Sequence, residues 1–193
     1  SGGQLVNHAF SDSGEAVTID LNAQTYYNVY VLANIGQVEP CVTEEEMAEY
    51  VYSVSELYDI EEVLPYAGVS RNVSVSRSGE RVCILMQRLV SKIFFSVDKS
   101  ALESLKIRSV RLCQSALCVR PFKAGGSAAV SAEEIADGDF CTSMDLELLN
   151  SGSEVNFFAL ENCQGVLLPE NEEPWKRYLL LWMRRPLLPL TLR

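Results

Sequence analysis

Residues 82–119 contain no proline and are crowded with β-branched, aromatic and leucine side chains, and so is Tyr26-Tyr-Asn-Val-Tyr-Val-Leu-Ala-Asn34. Such side chains fit a pleated, half-buried surface, so the best residues of this chain go into extended structure. Little in these stretches does chemistry, and the chain holds 1 histidine. A structural or adhesive module is expected before an enzyme.

Alternation begins early. Val17, Ile19 and Leu21 alternate with Thr18 and Asp20, which predicts a half-buried strand. Tyr27, Val29, Val31, Ala33 and Ile35 share one face of the next strand while Tyr30 and Leu32 load the other. Both sides of that strand are therefore expected to be covered, with Gly36 stopping it. Thr43 with Glu46 three residues later reads as a capping box, and Glu44 and Glu45 suit the positive end of a helix dipole. Met47, Tyr50, Val51, Val54 and Leu57 follow at helical spacing, predicting an amphipathic helix over residues 44–58. Pro65 and Gly68 read as the close of the following loop.

From Val73 the period returns to two. Arg77-Ser-Gly-Glu80 predicts a turn into a very long strand over residues 81–98, with Cys83, Leu85, Leu89, Ile93, Phe95 and Val97 on one face. At about 3.3 Å per residue that strand would reach roughly 60 Å, so a bulge or bend is expected within residues 88–92. Residues 100–105 read as a short helical turn. Ile107 lies on the odd face while Val110, Leu112, Ala116 and Cys118 lie on the even one, a switch that predicts a second bulge. Residues 125–139 are small and polar and read as a loop. Met144, Leu146 and Leu148 alternate as in a strand, Asn150-Ser-Gly-Ser153 turns the chain, and residues 155–160 give the last clear strand. The expected fold is mainly β, a β-sandwich of about seven strands with one amphipathic helix inserted. Residues 1–175 are assigned to this domain. Residues 176–193, with 5 basic and no acidic residues and leucines in no clean period, form an atypical basic and apolar tail.

The size and composition agree with one domain, since 193 residues of which 48% are apolar bury a core without metals or staples. No apolar run approaches the roughly 18 residues of a membrane-spanning helix. Ser1-Gly2-Gly3 reads either as an appended end or as one left by processing. A net charge of −10 argues against nucleic acid, whose phosphates need clustered lysine and arginine. Residues 1–70 carry 12 acidic residues and no basic one, and residues 71–193 carry all 16 basic residues against 14 acidic. That asymmetry reads as a solvated acidic face or, alternatively, as head-to-tail assembly of copies through opposite charges.

Catalytic and metal-binding arrangements find no support. Cys41, Cys83, Cys113, Cys118, Cys141 and Cys163 show no zinc spacing, and most sit at apolar positions as small hydrophobes. Cys113 and Cys118, five apart on one predicted strand, point to opposite faces and are not expected to bond each other. His8 near the chain end has no partner for nucleophilic catalysis. Glu44-Glu45-Glu46 and Glu61-Glu62 lack the glycine-containing loop of a calcium site and read as solvated surface. Gly125-Gly126-Ser127 lacks the lysine and helix start of a phosphate cradle. Tyr26, Tyr27, Tyr30, Tyr50, Tyr52 and Tyr58 read mainly as packing residues, with a sugar-stacking surface as the alternative. No cofactor, metal or catalytic residue is expected.

The order of several short motifs resembles a known family. Tyr30-Val-Leu-Ala-Asn34 before a glycine, an acidic helix, and Leu64-Pro-Tyr-Ala-Gly68 resemble the start of Bacteroidales-type fimbrillins, the type V pilins. Arg88-Leu-Val-Ser-Lys-Ile93, Gly126-Ser-Ala-Ala129 and Phe158-Ala-Leu-Glu-Asn162 with Gly165 follow in family order, covering residues 15–176. The last eighteen residues, 176–193, do not resemble the family, whose members usually continue into a second sandwich domain. The resemblance implies a transthyretin-like β-sandwich, the amino-terminal domain of a structural or tip subunit of a cell-surface fimbria. It implies export to the outer membrane with a lipid anchor only in the precursor, and assembly by strand exchange. The implied partners are other fimbrial subunits, joined head to tail, and host or bacterial surface ligands. The segment of interest for strand exchange is residues 1–21, with Val17, Ile19 and Leu21 as the partner-binding side chains. The alternative expectation is a lectin-like, carbohydrate-binding sandwich using Tyr26, Tyr66 and Trp175.

Overall fold

The computed structural model describes residues 3–12, 16–55, 60, 64–98, 100, 105–123, 132–139, 141–160 and the backbone of 178–181. In chain order its elements are β1 (Tyr26–Ala33), α1 (Glu44–Ala48), β2 (Tyr52–Ser53), β3 (Tyr66–Ser74), β4 (Gln87–Arg88), β5 (Val90–Phe95), β6 (Val110–Ala116) and β7 (Cys118–Val119). A 3₁₀ turn (Ala132–Glu134), β8 (Ile135–Asp139), α2 (Ser143–Asn150), β9 (Val155–Leu160) and β10 (Tyr178–Leu181) follow. The fold is mainly β, with several antiparallel sheets and few helices. It divides into two compact units that interleave along the sequence. The first takes Ser1–Tyr52, Val63–Leu89 and Arg120–Ser127; the second takes Ser53–Glu62, Val90–Val119 and Ala128–Arg193. Among the described residues no helix is long and apolar enough to cross a membrane.

The first unit is organised on a sheet of order β1-β3-β4. β1 runs antiparallel to β3 from Tyr26 opposite Ser74 to Ala33 opposite Tyr66, with a register shift between Tyr27 and Val29. Asn28 fills that irregularity: its side-chain oxygen accepts from the backbone N–H of Asn72 at 3.0 Å. Asn72 itself has φ 56, a left-handed conformation in which asparagine is one of the few tolerated side chains. β1 is half-buried at best, not covered on both sides, and it lies at one edge of this sheet and not inside it. It stops at Asn34, which turns left-handed at φ 61 and donates to the Leu64 carbonyl at 3.1 Å, two residues before the expected Gly36.

The break expected in residues 88–92 falls at Leu89, between β4 and β5. Residues 81–86, expected to continue the long strand, lie outside any ladder, and Cys83 and Leu85 are exposed. Gly68 gives the reason. It lies inside β3, not in a loop, and a Cβ built on it would sit 2.7 Å from the Leu85 carbonyl and 2.8 Å from the Met86 sulfur. Residues 84–86 therefore cross directly over Gly68, and the Leu89 N–H closes onto the Pro65 carbonyl at 2.9 Å.

Helix α1 starts where the sequence says and ends early. The Thr43 side chain accepts from the Glu46 N–H at 3.1 Å, and the Glu46 carboxylate reaches back to the Val42 N–H at 2.7 Å. Beyond Ala48 the run Tyr50, Val51, Tyr52, Val54 is aromatic and β-branched, residues that lose rotamer freedom in a helix, and Tyr52 and Ser53 enter β2 instead. Of the expected helix 44–58, residues 56–58 lie outside the described residues.

The second unit holds a core of Phe95, Ile107, Val110, Leu112, Leu149, Val155, Phe157 and Ala159. β5 pairs with β9 from Val90 opposite Leu160 to Phe95 opposite Val155. Ile93, Phe95, Val155 and Phe157 turn inward, while Lys92, Phe94, Asn156 and Phe158 line the other side. β6 lies between β10 and β8; its even-numbered Val110, Leu112 and Ala116, with Cys118 of β7, are buried, but so are the odd-numbered Cys113, Ser115 and Val119, so burial does not follow the one-sided alternation expected. The irregularity in β6 falls between Leu112 and Ser115 against β8, later than the switch after Ile107 suggested. Tyr178–Leu181, from the tail that had no clean period, lies antiparallel on β6, with Tyr178 opposite Cys113. The helical turn expected at 100–105 falls mostly outside the described residues.

Two expectations in this unit are corrected. Part of the expected loop 125–139 is a strand: Ile135–Asp139 lies along β6, since a strong apolar neighbour recruits even a segment rich in Asp and Gly. The alternating residues 143–148 are helical, not extended. Thr142 and Asp145 form a full capping box, and Leu146 and Leu149, at helical spacing, face the core. Gly152 at φ 81 makes the turn expected after Asn150.

Candidate interaction surface

The residues singled out for strand exchange lie in the amino-terminal arm. Residues 16–22 form no strand, which corrects the expected half-buried one: Val17 is 51% and Ile19 39% exposed, and Leu21 is half-buried. Alternation is necessary for a half-buried strand but not sufficient, because the strand also needs a neighbour whose hydrogen-bonding edge is open to it. Leu5, Val6 and Phe10 are exposed in the same arm. The arm is tied at its start, where Gln4 bridges Thr43, the Leu5 N–H donates to the Val42 carbonyl at 2.8 Å, and the Glu44 N–H donates to the Gly3 carbonyl at 2.7 Å. The Asn7 side-chain amide also donates to the Asp20 carbonyl at 3.0 Å, looping the arm on itself.

Beside that tie, Glu44 gathers the polar side chains of the first unit. Tyr30 and Asn28 project from β1 two residues apart and so reach the same side. The Tyr30 hydroxyl, the Asn28 amide at 3.0 Å and the Arg71 guanidinium at 2.7 Å all donate to Oε1 of Glu44. Arg71 also lies 5.6 Å from the Tyr30 ring centre, and Tyr30 meets Phe122 edge-on at 5.0 Å. Lys123 pairs with Glu49 at 2.9 Å. The basic residues that come later in the sequence thus fold back onto the acidic opening, and the charge asymmetry of the sequence is partly neutralised within this unit.

The Tyr30 bond, aided by those of Arg71 and Asn28, holds the Glu44 carboxyl below its ordinary value of 4.5, while burial and the bond to Glu44 push the Tyr30 hydroxyl up. A depressed carboxyl stabilises the fold above its unfolded value and loses that contribution as pH falls through its folded value. Glu44→Gln should therefore cost about 1 kcal/mol at neutral pH, since both pair members are partly exposed, and that cost should persist down to the ordinary value of 4.5 and be lost as pH falls further below it. Urea melts of both proteins from neutral pH to below that value check this; parallel curves would contradict it.

The three aromatics named for sugar stacking are not brought together. Tyr26 and Tyr66 stand at opposite ends of the β1–β3 ladder, roughly 23 Å apart at strand spacing. Tyr66 is covered by Arg88 at 5.7 Å, and Trp175 lies outside the described residues. Sequence reasoning missed a different aromatic surface. On the outer side of β5–β9, Lys92 lies 5.0 Å from the Phe94 ring centre and 5.6 Å from that of Phe158, with Phe94 52% exposed. The two-residue spacing of Lys92 and Phe94 was the available signal.

Among the described residues no cysteine is in a disulfide: Cys113 and Cys118 are buried, Cys41 and Cys141 half-buried, Cys83 exposed. Burial, with Asp145 and Asp139 adding to it, pushes the Cys141 thiol up to about 11, and burial with Asp137 raises Cys113. Such thiols stay protonated and are poor nucleophiles. Cys163 lies outside the described residues, and among those described no group of His, Cys, Asp and Glu is arranged to hold a metal ion.

No protein-family model, no curated protein and no solved structure matches this chain.

Proposed function

We propose that this chain is a non-enzymatic structural or tip subunit of a cell-surface fimbria, exported to the outer membrane and assembled by strand exchange. In this reading its sheets layer as a transthyretin-like β-sandwich, and its partners are further subunits joined head to tail, with surface ligands contacted through adhesion. The observation that carries it is the amino-terminal arm. Val17 and Ile19 keep strand-like alternation, form no ladder and stand in solvent. An extended segment with apolar side chains on alternate positions gains both backbone hydrogen bonds and pockets when it adds to an open sheet edge. The motif order shared with fimbrillins supports the same reading.

The test uses the paired variant Val17→Asp and Ile19→Asp in the full chain. Because both side chains are exposed, the melting temperature of the monomer should change by no more than about 1–2 °C. Self-association, followed by sedimentation at rising concentration, should be lost. A peptide of residues 16–22 should raise the melting temperature of the unaltered protein, and its doubly aspartate-substituted form should not. Unaltered protein that stays monomeric and ignores the peptide would sink the proposal.

A further inference from the structure

We propose that a cleft of about 420 Å³ between residues 106–108 and α2 binds a small hydroxylated carboxylate, an acidic sugar such as a uronic acid. The cleft lies within the second unit, and its volume falls in the range of small-molecule sites, roughly 300–1,000 Å³. Lys106, Arg108, Ser143, Glu147 and Asn150 supply its polar groups.

One wall is stiff. Ile107 is 2% exposed, and the Asn150 side chain grips its backbone from both sides, accepting from its N–H at 2.8 Å and donating to its carbonyl at 2.9 Å. A third bond, from the Asn150 amide to the Leu146 carbonyl at 2.7 Å, fastens the clamp to α2. With Ile107 held inward, Lys106 and Arg108 on either side of it are held outward. Neither makes an ion pair with a described residue, whereas Arg71, Arg111 and Lys123 do. Two neighbouring cations on the wall of a concavity raise the local concentration of anions, even in a chain of net charge −10. The guanidinium fork matches a carboxylate in two parallel hydrogen bonds.

The opposite wall narrows the ligand class. Ser143 offers a hydroxyl and Glu147 a carboxylate, which accepts hydrogen bonds and repels a bare anion. A ligand that presents an anionic group to Lys106 and Arg108 and hydroxyls to Glu147 satisfies both walls at once. Simple phosphate satisfies one. The inference does not rest on strand exchange, since none of its residues lies in the arm, and the Val17→Asp, Ile19→Asp protein should bind as the unaltered one does.

The test is a titration of the full chain with glucuronate, glucose and inorganic phosphate, followed by amide chemical shifts. Glucuronate should saturate with Kd on the order of 1 mM, shifting residues 106–108 and 143–150, and glucose should not bind. Lys106→Ala with Arg108→Ala should weaken glucuronate at least about tenfold with an unchanged melting temperature, while Arg77→Ala, exposed in a turn of the first unit and outside the cleft lining, should leave it unaltered. Absence of saturation by glucuronate, equal binding of glucose, phosphate binding as tightly as glucuronate, or a folded double variant that binds normally would each overturn the proposal.

Discussion

Replacing Phe157 by alanine should remove about 3–5 kcal/mol of stability and lower the melting temperature by roughly 10 °C or more. Phe157 is 3% exposed and stands in the core cluster of the second unit with Phe95, Val110, Leu149 and Val155. The ring is held from two directions, by the β5–β9 ladder on its own strand and by α2, so the surroundings have little freedom to close the void. The loss therefore combines the transfer of the aromatic surface with the cavity left behind. Met144→Ala on α2, at a position 70% exposed, should change stability by less than about 0.5 kcal/mol. Differential scanning calorimetry of the two variants checks the contrast. Similar shifts for both would mean that the core is not where these residues place it.

The second large effect is expected at Gly68. Alanine there adds one methyl group, yet its Cβ would lie 2.7 Å from a backbone oxygen, 2.8 Å from the Met86 sulfur and 3.0 Å from the Ile84 side chain. The Met86 sulfur can swing away; the Leu85 carbonyl moves only if residues 84–86 lift off β3. That displacement would strain the Leu89–Pro65 bond and the short pairing of β3 with β4. A cost of about 3 kcal/mol follows from overpacking, and Gly68→Val should cost more. At Gly36, where nothing lies within 4 Å of the added atom, alanine meets no clash and only the φ of 74 opposes it. Gly36→Ala should accordingly cost about 1 kcal/mol, the left-handed penalty alone. Urea denaturation of the alanine variants orders them. A Gly68→Ala protein as stable as the parent would show that residues 84–86 do not cross that strand.

The same glycine shows how much of the fold the sequence disclosed. Leu64-Pro-Tyr-Ala-Gly68 is visible as a motif, but its composition suggested a loop, because nothing in a linear sequence says that a distant backbone passes within van der Waals reach of one residue. Local signals fared well. The Thr43 cap, the Ser76–Gly79 turn with Gly79 at φ 85, the Gly152 turn and strands β1 and β9 all follow from turn chemistry, capping or alternation over a few residues.

What depends on neighbours was hidden. α1 stops after Ala48 because its continuation is better suited to a strand, although the apolar spacing of Tyr50 and Val54 fits a helix equally well. Residues 143–148 show the reverse ambiguity: over six residues, leucines two and three apart satisfy both periods, and the Thr142–Asp145 box was the deciding sign. β8 and β10 form because β6 offers two edges, a property of β6 and not of the segments recruited. Of the candidate sites, the arm was legible as an alternating run, its lack of a partner was not. The cleft at Lys106 and Arg108 depends on Asn150, 43 residues away, and left no local trace.

Amide hydrogen exchange of residues 17–21, compared between dilute monomer and concentrated assembly, tests the arm most directly. Solvent-facing amides outside any ladder should exchange close to the free-peptide rate in the monomer and slow by about a hundredfold or more once the segment has added to a neighbouring sheet. Fast exchange in both states, with protection appearing elsewhere in the assembly, would contradict a partner-seeking role for Val17, Ile19 and Leu21.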